Sequence, residues 1–397
     1  MKTKQTLVPE LRFYNDKGNP YPDWEEKKLG KVARFLKGKG ISKAEVAENG
    51  ATPCVRYGEL YTHYNELITV TKSFTNIDND DLELSQGNDV IIPASGETHI
   101  DIATASCVKE KGIALGGDLN IIRSEQNGVF MAYYMNGSLR INIARLAQGS
   151  SVIHLYATQL KDLNMHLPPL PEQEKIAAFL TSVDDRIDQL KRKKSLLQDY
   201  KKGVMQKLFS QELRFKDNHG KPYPDWEEKK LGEISTFRDG ERIPLSQDER
   251  SKRQGSYPYY GASGIIDYID DFIFDGEYIL LGEDGANIVT RSSRLAFVIR
   301  GKNWVNNHAH VIEAHGSSYF LAELLEQMSF NRYNTGTAQP KLNAKICKSI
   351  PVNIPSLPEQ TKIANFLSSL DQKIEQIDTQ ITQTQSFKKG LLQQMFV

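Results

Sequence analysis

The chain carries one segment twice, and that duplication constrains its fold more than any other feature. Glu10 to Gly30, ELRFYNDKGNPYPDWEEKKLG, returns from Glu212 to Gly232 as ELRFKDNHGKPYPDWEEKKLG, an offset of 202 residues. LPPLPEQEKIAAFL, beginning at Leu167, returns from Ile354 as IPSLPEQTKIANFL, an offset of 187. The intervening stretches, Ala33 to His166 and Ser235 to Asn353, share little sequence, and because 202 minus 187 is 15 they differ in length by 15 residues. Two fixed frames therefore hold two different inserts. A chain of this kind is expected to use one scaffold twice, with rough two-fold symmetry, to present two non-identical surfaces.

Each LPEQ motif opens an amphipathic pattern. Leu180, Val183, Ile187, Leu190, Lys194 and Leu197 follow alternating spacings of three and four, and so do Leu367, Leu370, Ile374, Ile377 and Ile381. Both are heptad seams. Pro171 and Pro358 suit the first helical turn, with Glu172 and Glu359 just inside, where a carboxylate meets the positive end of the helix. A helix from Pro171 to Phe209 would run about 58 Å at 1.5 Å per residue. Lys194, Lys201, Thr384 and Lys388 interrupt the seams, and Gly203 and Gly390 are expected to weaken the last turns. Heptads alone fit a surface helix or a homodimeric coiled coil. The duplication adds a third arrangement, in which the two helices pair antiparallel within one chain.

Both inserts read as mixed α/β. DVIIPASG at Asp89 and YILLGEDG at Tyr278 are strand candidates, and Gly87 and Gly96 are spaced as Gly276 and Gly285 are. LNIIR (119–123) matches AFVIR (296–300) in type, and Gly149 aligns with Gly336 at the offset of 187. The inserts are thus expected to share a fold. Their polar loops supply candidate DNA-reading groups. In the first insert these are Arg34, Lys37, Lys39 and Lys43 around GKG, then Arg56, Tyr57, Tyr61, His63, Tyr64 and Asn65 in RYGELYTHYN. In the second they are Arg238, Arg242, Arg250, Lys252 and Arg253, then Tyr259, Tyr260 and Ser263 in YPYYGASG. Arginine, lysine and asparagine bond to base edges, and tyrosine and serine to phosphates. The competing reading of each is a solvated charge or a half-buried strand tyrosine.

Composition narrows the chemistry. Lysine plus arginine equals aspartate plus glutamate, 50 against 50, so nucleic-acid binding would rest on local patches and not on bulk charge. Cys54, Cys107 and Cys347 lack metal-site spacing and read as small buried apolar residues. His308, His310 and His315 fit a strand better than a metal site. There is no apolar run of membrane-spanning length and no apolar leader in MKTKQTLVPELRF, which sets a cytoplasmic expectation. P-loop, GxGxxG, HExxH and GxSxG motifs are absent, as is the Asn-Pro-Pro-aromatic tetrapeptide of DNA adenine methyltransferases. Catalysis is expected to belong to other chains.

With WEEKKLG and LPEQ doubled, and with RYGELYTHYN, IIPASGET, YPYYGASGIIDY, NNHAHV and NTGTAQPKL between them, the chain resembles the specificity subunit of type I restriction-modification enzymes over nearly its whole length. The resemblance implies two target recognition domains of similar α/β fold joined by two long antiparallel coiled-coil helices. The corresponding segments are 1–166 and 211–353 for the repeat heads with their recognition domains, and 167–210 and 354–397 for the helices. Each domain would read half of a bipartite site on double-stranded DNA, with the helices setting the gap. The resemblance also implies two modification subunits and two restriction subunits as partners. S-adenosylmethionine, ATP and magnesium would be used by those partners, leaving this chain without cofactor or catalytic residue. It extends the candidate reading set to Ser95, Thr98 and His99 in the first domain and Asp284, Asn287, Asn306, Asn307 and His308 in the second. The alternatives are a non-catalytic coiled-coil adaptor that binds proteins, and a DNA-modifying enzyme in its own right.

Overall fold

The computed structural model describes residues 8–336 and 339–397. The first seven residues, and Thr337 and Ala338 of NTGTAQPKL, lie outside the described residues. The chain divides into two units, one of Met1–Lys191 with Thr379–Val397, the other of Arg192–Asp378. The long helices do not stand apart as bodies of their own; the division cuts each near its middle.

In the first unit Glu25–Lys28 pairs antiparallel with Asn164–Leu167, so that Glu25 faces Leu167. In the second, Glu227–Lys230 pairs in the same way with Pro351–Ile354, and Glu227 faces Ile354. These ladders explain the two offsets: the constant head and the constant tail of each repeat are hydrogen-bonded to one another, and the insert is the excursion between them. Leu29 continues the clasp by donating its N–H to the Leu163 carbonyl at 2.8 Å, as Leu231 does to Ile350 at 2.9 Å. Gly30 and Gly232 are fixed by close packing, since a Cβ on either would meet Cβ of Lys161 or Lys348 at 3.0 Å.

The LPEQ motifs close the frame from the other side. Glu172 and Glu359 are fully buried. Each takes a forked pair of bonds from an arginine of the repeat head, Arg12 at 3.0 and 2.7 Å and Arg214 at 3.2 and 2.8 Å. Gln173 donates to the Pro168 carbonyl and accepts from the Asn127 N–H; Gln360 does the same with Pro355 and Ser317. Asn127 and Ser317 in turn cap the helices Gly128–Asn136 and Ser318–Gln327. A buried amide with every polar atom bonded orients an entire helix at little desolvation cost.

Above these frames the sheets differ. The first unit has two five-stranded sheets, one ordered Ala33–Lys37, Leu119–Ser124, Asp89–Pro93, Ser106–Val108, Leu67–Ile68, and a second ordered Val46–Ala47, Ser73–Thr75, Thr52–Val55, Lys111–Leu115, Leu84–Gln86. The second unit has one six-stranded sheet, ordered Ser235–Phe237, Ala309–Ala314, Phe274–Gly282, Ala296–Val305, Gln254–Gly261, Gly264–Ile269. The expected strands at Asp89 and Tyr278 are central in their sheets. The expected match of LNIIR with AFVIR is corrected: Leu119–Ser124 lies between the first strand and Asp89–Pro93, and the strand in that place in the second unit is Ala309–Ala314. Apolar type alone could not separate two neighbouring strands of one sheet.

The long helices run Leu170–Phe209 and Leu357–Met395 and pass through Gly203 and Gly390 without a break. Ile176, Leu180, Val183 and Ile187 of the first join the first unit's core together with Leu391 and Met395 of the second and Phe396 just beyond it. Met205 and Leu208 join the second unit's core with Ile363, Leu367 and Leu370. Leu190, Ile377 and Ile381 are also buried, and Leu197 and Ile374 are half-buried. Seam lysines meet aspartates on the opposite helix. Within the second unit Lys194 pairs with Asp378 at 2.5 Å and Lys201 with Asp371 at 2.7 Å; within the first, Lys388 pairs with Asp184 at 2.7 Å. Each pair of residue numbers totals 572, the signature of an antiparallel register. The lysines that break the apolar seam are therefore its matched polar positions.

Candidate nucleic-acid interface

In the first unit the GKG turn is held against a second glycine turn. A Cβ on Gly38 would lie 1.9 Å from the Gly116 carbonyl oxygen, so no other residue fits there. Lys37, Lys39 and Lys43 are all exposed, and one cleft is lined by Ile41, Lys43, Arg56, Tyr57, Gly117 and Asp118. The Tyr57–Glu59 turn that presents Arg56 rests on buried Glu59, which accepts from the Arg56 N–H at 3.1 Å and from the Ser73 hydroxyl at 2.5 Å. Tyr61 and His63 are exposed, as is Asn65. Tyr64 is half-buried, accepts the Lys72 N–H at 2.9 Å, and its hydroxyl is pushed up in pKa chiefly by burial.

Three residues of this set play other parts. Arg34 stands at the frame end of Ala33–Lys37, opposite Arg123 and about 10 Å along the strand from the GKG turn. Ser95 is buried in a two-residue strand paired to Ile153–His154. Thr98 shapes its own turn through Asp101 at 2.6 Å, leaving His99 exposed with Nδ1 3.2 Å from the Ala144 carbonyl. A group not foreseen from the sequence is His154 with Tyr156, stacked at 6.1 Å and lining a second cleft with Lys37 and Asp118. Gly149, which aligned with Gly336, was the available signal, because it forms the tight turn leading into His154.

In the second unit Ser263, Asp284, Asn306 and His308 converge on one cleft. His308 is exposed and its Nδ1 lies 3.0 Å from both Asp284 oxygens. Asn307 is exposed, whereas Asn306 is buried and accepts the His308 N–H at 2.9 Å, which sets the turn. Asn287 closes its own loop by accepting from Ser293 at 2.9 Å. Tyr259 is a correction: it is 1% exposed, its hydroxyl accepts the Leu245 N–H at 2.9 Å, and it supports the surface from beneath. Tyr260 is half-buried, with its hydroxyl pushed up in pKa by burial.

The five candidate cations of this unit are each engaged. Arg238 binds Glu313 at 2.6 Å, and Arg242 binds Glu283 at 2.7 Å and the Ala309 carbonyl at 2.6 Å. Arg250 lies 5.1 Å over the Tyr259 ring and bonds Asp267; Arg253 lies 4.8 Å over Trp304 and bonds Asp270. Lys252 pairs with Asp248 at 2.6 Å. Lys341, which sequence reasoning omitted, stands half-exposed beside Glu283 at 3.5 Å.

The remaining chemistry-bearing groups are structural. Cys54, Cys107 and Cys347 are buried, and burial pushes the thiols of Cys54 and Cys107 up to about 11 and about 12, which leaves them protonated. Among the described residues no group of histidine, cysteine and carboxylate side chains is placed to hold a metal. Nor is any helix long and apolar enough to cross a membrane.

The type I restriction modification DNA specificity domain matches twice, at residues 21–198 and 223–384, once for each repeat. The chain belongs to that family. A specificity subunit of the MjaVIII type I restriction enzyme from Methanocaldococcus jannaschii is 24% identical over 409 residues, covering 93% of this chain and 91% of the relative. A Haemophilus influenzae protein named as a type I specificity subunit is 34% identical over 145 residues, and that match spans only 36% of either chain. The crystal structure of the type I S subunit from M. genitalium superposes with a TM-score of 0.64 at 18% identity, covering 98% of this chain and 99% of that one. A chain from a study of complex assembly and conformational transition of the type I system gives 0.54 at 16% identity, covering 95% and 99%. Both likenesses support the fold.

Proposed function

We propose that this chain is the DNA sequence-specificity subunit of a type I restriction-modification complex, each unit reading one half of a bipartite site. One observation carries the reading: the same closed frame, down to the Arg–Glu fork and the bonded glutamine, carries two different loop clusters around two different clefts. A frame repeated so closely under unlike surfaces is the arrangement expected where the surface must vary and its mounting must not. The long helices, each contributing to both cores, would set the gap between half-sites. The chain itself would supply no catalytic group and no cofactor site; S-adenosylmethionine, ATP and magnesium would act on its partners, in the cytoplasm.

Two copies of one modification subunit are the partners that the surface suits best. The helix seams are covered within the chain, so Leu180, Leu367 and their neighbours are not available to a partner. Exposed apolar residues instead recur at the repeat offsets: Leu11 with Leu213, Leu170 with Leu357, and Tyr200 with Phe387. Duplicated apolar exposure in the constant part of each repeat fits one partner surface used twice. Restriction subunits would join that assembly. Co-expression with the modification subunit followed by methylome sequencing tests the reading: a split motif methylated at adenine supports it, and assembly without sequence-specific methylation rejects it.

A further inference from the structure

The second unit contains a buried histidine whose partners reach several of the loops around the cleft. His310 has a side chain 1% exposed. Its Nδ1 bonds Asp239 at 2.7 Å and its Nε2 bonds the Leu342 carbonyl at 2.9 Å. Both partners are acceptors, so both ring nitrogens must donate, and the ring is an imidazolium. Burial is the largest single influence and opposes that charge, but the bonds and charges of Asp239 and Cys347 together outweigh it and the pKa is raised to about 10. Glu283 lies 3.7 Å away, and Cys347 also faces the ring.

The neighbours lead outward. Asp239 accepts the Val311 N–H with its other oxygen, fixing the turn that carries Arg238 and Arg242. Arg242 ties Glu283 to the Ala309 and Asn307 carbonyls, the latter at 3.5 Å. The Glu283 backbone donates its N–H to the His308 carbonyl and accepts from the Leu342 N–H. Thus the Arg238–Arg242 turn, the Glu283–Asn287 loop, the Asn306–His308 turn and the segment at Lys341 share one buried charged cluster. In the first unit the corresponding second residue of Leu119–Ser124 is Asn120, also buried, and its amide donates to the Leu155 carbonyl at 2.8 Å. Leu155 and Leu342 are separated by the repeat offset of 187. The bond to a leucine carbonyl at corresponding positions of the two inserts is therefore shared by both units, and the bond to Asp239 is an addition in the second.

We propose that His310 is a positioning residue for DNA recognition, setting the relative placement of the second unit's reading loops without itself touching DNA. This rests on the DNA-reading function above. The test uses the full chain assembled with its modification subunits, as wild type, His310→Asn and His310→Gln, in a host lacking other methyltransferases. His310→Asn imitates Asn120, keeping a donor for Leu342 while removing the tie to Asp239. The expected result is a methylated motif with one half-site unchanged and the other accepting additional bases, its selectivity lower by about tenfold, in complexes that still assemble and unfold cooperatively. An unchanged motif in both variants overturns the proposal. So does loss of methylation together with lost assembly or a strongly lowered melting temperature in both, since His310 then only holds the fold. If the wild type directs no split-motif methylation, the DNA-reading premise itself fails, a result read without any variant, and the proposal falls with it.

Discussion

In the first unit exposed Lys37, at a strand end, and exposed Lys43, on a turn, have no carboxylate partner among the described residues, whereas in the second Arg238, Arg242, Arg250, Lys252 and Arg253 each reach a carboxylate within 3.2 Å. The frames beneath are the same. The difference teaches that the scaffold does not dictate how a surface meets DNA. Free lysines interact with phosphates by displacing counterions, a long-range and salt-sensitive contribution. Arginines already matched to carboxylates add little net field, but their fixed geometry orders the loops that present Ser263, Asn307 and His308.

The largest expected effect probes what the units share. Glu172→Ala and Glu359→Ala each remove the buried carboxylate of an arginine that keeps only an exposed aspartate, Asp23 or Asp225, and should each cost about 3 kcal/mol of unfolding free energy, measured by denaturant titration. Closely similar losses would establish the frames as equivalent, and one loss several times the other would break the comparison at its base. The next effect separates the units by pH. His310 has its folded pKa raised from 6.5 to about 10, so its contribution to stability is fully present below 6.5 and is lost as pH rises through about 10. Wild type should therefore lose more stability than His310→Asn between neutral pH and about pH 10, by on the order of a few kcal/mol. Parallel curves would remove the imidazolium from the account.

A smaller effect tests the helix register. Lys201→Met removes a buried ammonium from Asp371 and Glu323 and should cost about 1.5 to 3 kcal/mol, whereas Lys194→Ala breaks a more exposed pair and should cost less than about 1 kcal/mol. Equal costs would mean that burial does not rank these bridges. The smallest effect sharpens the surface contrast. Alanine at Lys37, Lys39 and Lys43 should lower the salt slope of DNA binding by the complex by about 0.9 for each phosphate no longer neutralised, while Lys252→Ala should change it less. Equal changes per lysine would erase the distinction between the two surfaces.

Much of the fold was legible because repeats and heptads are local patterns. The Pro20 to Gly30 identity marked the frame, the three-four spacing marked both long helices, and Gly87 and Gly276 marked corresponding strands. What stayed hidden depended on partners distant in sequence. Lys201 and Lys388 read as defects until Asp371 and Asp184 were placed opposite them. LNIIR and AFVIR have the same apolar type, yet only hydrogen-bond register shows that Ala309–Ala314 is the true counterpart. The candidate site was legible as loops and not as side chains. GKG and RYGELYTHYN do meet at one cleft, but Tyr259 sits inside, and His154 with Tyr156 emerged only from the fold.

The most direct test of the central claim exchanges the insert from Ala33 to His166 for that of a relative, leaving both frames and both helices intact. The chimera is expressed with the cognate modification subunit, and its methylated motif is read by sequencing. The account predicts that one half-site is replaced while the other half-site and the gap persist. A change in both half-sites, or in neither, would contradict it.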